Sequence, residues 1–145
     1  MLSVTPARPG LFLLTAALLI AGCASGPRMT DEQRASLLAR AEARWRALER
    51  RDFDAACAFT SPAYRKVIPK ALYRHKFSYM VEWELTAVEL VTYDAEAAVA
   101  SVAARVMSEP VKHTSAASAA IGAVPTRFVE QWIYADGEWW FSARL

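Results

Sequence analysis

The chain has 145 residues, with 17 Lys and Arg against 15 Asp and Glu, and 54% of its residues are hydrophobic. That is one domain's worth of sequence with aromatic material for a single core, and the near balance of charge excludes a dedicated nucleic-acid binder. The two histidines, His75 and His113, lie far apart without clustered acids, so no metal site is expected, and with no Walker-type loop or nucleotide fingerprint no cofactor is expected. The balance hides an asymmetry. Residues 28–76 hold 12 Lys and Arg and 6 Asp and Glu, whereas residues 77–145 hold 4 and 9. A solvated basic helical face accounts for this. Attraction to anionic lipid headgroups or head-to-tail packing with another copy are the alternatives.

The first ten residues carry one cation, Arg8, and no acid, and Leu11 to Ile20 is apolar except for Thr15. Ala21 and Gly22 then precede Cys23. A basic start, an apolar middle and a small-residue exit make a secretory signal. The run is shorter than the roughly 20 apolar residues that span a bilayer. Leu19-Ile20-Ala21-Gly22-Cys23 resembles the lipobox of bacterial lipoproteins. The resemblance implies a signal peptide over residues 1–22, cleavage before Cys23, acylation of its thiol, and a lipidated tether over residues 23–30. Ala24, where some lipoproteins carry aspartate, implies an outer-membrane location facing the periplasm. Cys57 is then the only free thiol. Its setting, Ala55-Ala56-Cys57-Ala58-Phe59, suits a small buried hydrophobe and offers no neighbouring cation to activate a thiolate.

Thr30-Asp31-Glu32-Gln33 reads as a capping box opening a helix to about Arg50. Leu38, Ala41, Trp45 and Leu48 share one face of it, flanked by Arg40, Arg44, Arg46 and Arg50. Asp52 caps a second helix through Phe59 that buries Phe53, Ala56 and Cys57. Ser61-Pro62 opens a third, which Pro69 breaks or restarts before Phe77. From Tyr79 to Tyr93 the period becomes two, and the alternation slips near Ala87–Leu90, as a β-bulge would make it. After a turn at Asp94–Glu96, Ala97 to Met107 reads as a second strand. Ser108 to Val124 reads as a long, mobile loop with ragged strand ends. Asp136-Gly137 marks a two-residue hairpin, which pairs Ala135 with Glu138, Tyr134 with Trp139, Trp132 with Phe141 and Glu130 with Ala143. One hairpin face then carries Phe128, Glu130, Trp132, Tyr134, Trp139, Phe141, Ala143 and Leu145, and it is the core face.

Helices followed by an antiparallel sheet make an α+β roll over residues 31–145. The stretches Trp45-Arg46-Ala47-Leu48-Glu49-Arg50-Arg51-Asp52-Phe53-Asp54-Ala55-Ala56, Ser61-Pro62-Ala63-Tyr64-Arg65 and Glu130-Gln131-Trp132-Ile133-Tyr134-Ala135-Asp136-Gly137-Glu138-Trp139-Trp140 resemble the nuclear transport factor 2-like superfamily. The resemblance implies a cone of N-terminal helices packed on a curved antiparallel sheet, the roll of ketosteroid isomerases, scytalone dehydratase and polyketide cyclases. That fold hosts many functions, and no catalytic residue of those enzymes maps onto a matched position here, so none is carried over.

Glu130 is the sharpest candidate for chemistry. The register sets its carboxylate among Phe128, Trp132 and Tyr134, where desolvation could poise it as a general acid or base. Alternatively it sits at the cone's open mouth, or pairs with a helical cation such as Arg65 or Arg74. Tyr64, His75, Tyr79, Trp83 and Trp132 are the other residues expected to line a pocket, and they serve equally well as core filler or surface. Three functions remain open: a non-enzymatic, lipid-anchored domain that binds a small apolar ligand; an isomerase, dehydratase or hydrolase using Glu130 with Tyr64 or His75; and an adaptor that forms a homodimer through the outer sheet face of Trp140, Ile133 and Val129.

Overall fold

The computed structural model describes residues 28–77, 80–112 and 115–143. The signal segment, Cys23, Tyr79 and His113 lie outside the described residues. In chain order the elements are α1 (Asp31–Glu49), α2 (Phe53–Cys57), α3 (Pro62–Val67), α4 (Lys70–His75), β1 (Val81–Asp94), β2 (Val99–Pro110), α5 (Ala116–Ile121), β3 (Val124–Ala135) and β4 (Glu138–Phe141). The four strands form one antiparallel sheet in the order β1-β2-β3-β4, and α1 packs across β1, β2 and β4. The fold is the α+β class expected from the sequence.

Local chemistry explains each helix start. The Thr30 hydroxyl accepts from the Gln33 amide at 3.1 Å, and the Gln33 side chain accepts from the Thr30 amide at 2.9 Å. This capping box satisfies two orphan donors of α1. Asp52 accepts from Ala55 N and Ser61 from Tyr64 N, capping α2 and α3, with Pro62 in the first turn of α3. Pro69 ends α3 and stands as the N-cap residue of α4, so the third predicted helix is two.

The buried face of α1 is Leu37, Ala41, Arg44, Trp45, Ala47 and Leu48. Leu38, expected on that face, is only half-buried, and Leu37 takes its place. Arg44, expected on the solvated flank, is buried.

The pairing of β1 with β2 shifts register between Leu85 and Ala87 and again between Leu90 and Thr92. Each shift inserts an unpaired residue and reverses which side chains face the core. Before the first shift Leu85 is buried, and after it Val88 and Leu90 pack inward. The slip in sequence alternation therefore marks a real irregularity.

The segment from Ser108 to Val124 corrects the expectation of one loop. β2 continues to Pro110 and α5 occupies Ala116–Ile121. The run Ala116-Ala117-Ser118-Ala119-Ala120 has high helix propensity, which outweighs its lack of hydrophobic period.

Asp136 and Gly137 both have positive φ, 55° and 78°, as the predicted tight hairpin turn demands. The pairs Ala135–Glu138, Tyr134–Trp139 and Trp132–Phe141 form as expected. The pair Glu130–Ala143 does not, because β4 ends at Phe141, whose amide donates to Phe59 O at 2.8 Å. That amide faces the loop after α2, and the Ser142 amide makes one further bond to β3, at Gln131 O, 2.8 Å.

Two apolar clusters result. One gathers Trp45, Leu48, Phe53, Cys57, Tyr73, Leu85 and Val106, and the other Leu37, Ala41, Val102, Trp132 and Trp139. Trp139 is fully buried and its indole donates to Gln33 O at 2.9 Å. Arg40 binds the Trp139 carbonyl at 2.6 Å and the Glu138 carboxylate, closing the hairpin onto α1. Trp139→Ala is expected to lower unfolding free energy by about 3–5 kcal/mol in urea titration, from lost burial plus the cavity left behind.

Candidate functional site

Arg44 and Glu130 meet at the seam between the two apolar clusters. On α1, Arg44 follows Ala41 of one cluster and precedes Trp45 and Leu48 of the other. On β3, Glu130 lies two residues from Trp132 on one side and two from Phe128, which packs on Trp45 at 5.2 Å, on the other. Arg44 Nη1 donates to Glu130 Oε1 in an ion pair whose side chains are 3% and 8% exposed. The Arg44 guanidinium lies 3.7 Å from the Phe141 ring centroid, within cation–π range. Its Nη2 makes a long hydrogen bond, 3.4 Å, to the Tyr73 hydroxyl.

The register was right about the face Glu130 occupies, and Glu130 does pair with a helical cation, but that cation is Arg44 and not Arg65 or Arg74. Arg65 instead donates to the Ala58 and Thr60 carbonyls, and Arg74 pairs with Asp54. The pair is incompletely satisfied. Arg44 Nε and Glu130 Oε2 are buried and find no hydrogen-bond partner among the described residues. Burial first of all, against the opposing pull of Arg44, pushes the Tyr73 hydroxyl above the ordinary tyrosine value of 10.0. Tyr73 therefore stays protonated and neutral through the physiological range.

A cavity of about 380 Å³ opens beside this pair, lined by Arg44, Tyr73, Lys76 and Phe77 from the helical side and by residues 128–131 and 141–143 from the sheet side. An adjoining space of about 340 Å³ shares Arg44, Lys76, Phe77, Phe128 and Glu130 and adds Trp45, Leu48 and Trp83. Six aromatic rings, Trp45, Tyr73, Phe77, Trp83, Phe128 and Phe141, stand in these walls beside charged and polar groups. Phe77 sits 5.0 Å from both Phe53 and Tyr73 and 6.2 Å from Trp83.

Of the residues expected to line a pocket, Glu130 and Trp83 do so. Trp132 is fully buried in the core and lines neither space, because its neighbours Phe141 and Val102 seal it. His75 is corrected as well. It is exposed on α4, while its neighbour Tyr73 takes the inward position. Tyr64 stacks edge-on to Tyr73 at 6.5 Å and lines neither space. Its buried hydroxyl has no hydrogen-bond partner among the described residues. Tyr79 lies outside the described residues. Arg44, Tyr73, Phe77 and Lys76 are the site residues that the sequence reading missed. The signal for Arg44 was its spacing, since positions 37, 41, 44 and 48 repeat at four, three and four along α1. Among the described residues no cluster of three potential metal ligands occurs.

No family model matches the chain, and no curated protein matches it. Solved structures do. One is a protein from Novosphingobium aromaticivorans described as a "putative aromatic ring hydroxylase", with TM-score 0.54 and 16% identity over 79% of this chain and 87% of that one. Another, a SEC-C motif containing protein from Rhodopseudomonas palustris, has TM-score 0.43 and 18% identity over 75% and 77% of the two chains, too distant in shape to carry an argument.

Breaking the ion pair from one side strands a buried charge. Arg44→Met is expected to cost about 3–5 kcal/mol in denaturant unfolding, and adding Glu130→Met to recover most of it. Tyr73 has its own signature. Above pH 10 the unfolded chain sheds the phenolic proton while the folded chain keeps it, so stability falls as pH rises toward the elevated folded value. Unfolding midpoints measured across that window are expected to fall less steeply in Tyr73→Phe than in the parent. At that identity the first of these likenesses speaks for the fold alone: the chain has the nuclear transport factor 2-like α+β roll.

Proposed function

We propose that this chain is an envelope lipoprotein, anchored through acylated Cys23 at the outer membrane and facing the periplasm, whose roll binds a small, mostly apolar molecule without transforming it. The observation that carries the ligand reading is the half-open aromatic cavity of about 380 Å³ set against the Arg44–Glu130 pair. Its volume falls in the range of about 300–1,000 Å³ typical of small-molecule sites, and its aromatic rings stand beside Arg44, Lys76, Glu130, Gln131 and Ser142, polar groups that orient a ligand. The anchor reading rests on the order of basic, apolar and small residues before Cys23.

Non-catalytic binding is favoured by what surrounds Glu130. A general base must reach its proton and then return it. One oxygen of Glu130 is occupied by a guanidinium, the nearby phenol is held protonated by burial, and the exposed His75 lines neither space. A second reading keeps the catalytic alternative, an isomerase, dehydratase or hydrolase acting through Glu130. The specific observation in its favour is Glu130 Oε2, which has no hydrogen-bond partner among the described residues.

Titration with the neutral fluorophore N-phenyl-1-naphthylamine tests the cavity. Saturable binding is expected, weakened at least tenfold by Ala143→Trp, which fills the space from its rim while leaving the melting transition in place. Equal binding by both proteins would sink the ligand reading. Labelled palmitate is expected to enter the expressed chain and to be absent from Cys23→Ala. Turnover of a bound compound that Glu130→Gln abolishes, with fluorophore affinity retained, would favour the catalytic reading.

A further inference from the structure

Among the described residues that line the aromatic cavity or the space adjoining it, three carry a formal charge: Arg44, Lys76 and Glu130. All three border both spaces, and two cations less one anion leave the lining at +1. The three are not equivalent. Arg44 and Glu130 form a buried ion pair, and the guanidinium is further covered by the Phe141 ring and bonded to the Tyr73 hydroxyl. Their charges are spent on each other. Lys76, the C-cap residue of α4, is exposed, and its ammonium group lies 5.5 Å from the Tyr64 ring. Phe128 also borders both spaces and is 37% exposed. The adjoining space is bounded in addition by Trp45 and Leu48, both buried. A cation and a ring therefore stand at the surface end of the lining, and apolar side chains stand at its inner end.

We infer that the ligand of this cavity is an amphiphile with one anionic group, a carboxylate or sulfonate, which meets Lys76 at the rim while its apolar body enters between Phe77, Phe128 and Trp83. This rests on the ligand reading proposed above and narrows it to a chemical class and an orientation. An anion carried inward would be stripped of its water and would meet the Glu130 carboxylate, with the Arg44 charge already engaged. A cationic ligand would meet a lining of net positive charge. At the rim an anion keeps part of its hydration, and the flexible lysine stem lets the ammonium group follow it. The rings then take up only apolar surface, which is what they cover best.

Two fluorophores with one skeleton make the test. N-phenyl-1-naphthylamine is neutral, and 1-anilinonaphthalene-8-sulfonate adds a single sulfonate to it. Both are titrated into the full chain at low salt, and the ratio of their affinities is read. Lys76→Gln is expected to shift that ratio about fivefold toward the neutral dye, the factor that one opposite charge about 4 Å away in water supplies. Added salt is expected to shift the ratio the same way in the parent, and less in Lys76→Gln. Lys66→Gln removes an exposed cation that lines neither space and is expected to keep the parent's ratio. Ala143→Trp is expected to weaken the sulfonate along with the neutral dye, as occupancy of one cavity requires. A ratio that Lys76→Gln leaves unchanged, a Lys66→Gln shift of equal size, or sulfonate binding indifferent to Ala143→Trp overturns the inference, while the ligand reading stands on the neutral dye. Failure of the neutral dye to bind overturns the ligand reading and this inference with it.

Discussion

A guanidinium and a carboxylate buried between two apolar clusters constrain everything around them. Arg44 comes from α1 and Glu130 from β3, and neither can be withdrawn from water without the other. Their meeting sets the rotation of α1 about its axis, since a turn that carried Arg44 outward would leave Glu130 unpaired. It also sets the position of β3 beneath the helix. Such pairs add little net stability compared with well-packed apolar side chains, and their effect is to penalise every alternative packing. The Phe141 ring against the guanidinium and the long bond to Tyr73 extend the same constraint to β4 and α4.

The sheet supplies the space that this pair borders. Two register shifts in β1 bend the strand, so that Leu85, then Val88 and Leu90, follow the core inward. At the other side β4 stops at Phe141, which pairs with the loop after α2 through the Thr60–Phe141 bridge. Ser142 makes one more bond to Gln131 of β3, and past it lies the hollow lined by Phe128, Glu130 and Ala143. The cavity is therefore a product of strand lengths, because a longer β4 would have covered it.

The parts of this arrangement governed by neighbouring residues were legible in the sequence. Thr30 and Gln33, Asp52, Ser61 and Pro62 act within a few positions, and each does what its chemistry predicts. Asp136-Gly137 set the hairpin register because a two-residue turn leaves no choice. From that register, Glu130 was assigned to the inner face. Its partner could not be found in the same way. The pair spans 86 residues, and Arg44 competes with many other cations on the same helical half. His75 and Tyr73 are two positions apart on a helix of six residues, too short for periodicity to say which one turns inward. The Ser108–Val124 stretch lacked any hydrophobic period, and its helix rests on alanine propensity alone.

The closure of the hairpin onto α1 has a temporal side. The carbonyl of Gln33, in the first turn of α1, accepts from the Trp139 indole, 106 positions later, and Arg40 donates to the carbonyl of that same tryptophan and to the Glu138 carboxylate. While the polypeptide is being synthesised, Trp45 and Leu48 at the back of α1 can settle on Phe53, Cys57 and Leu85 early, whereas Leu37 and Ala41 at its front wait for Trp132 and Trp139. The opening helix is thus seated in two stages, its back half on the elements that follow it directly and its front half only once the hairpin of β3 and β4 has formed.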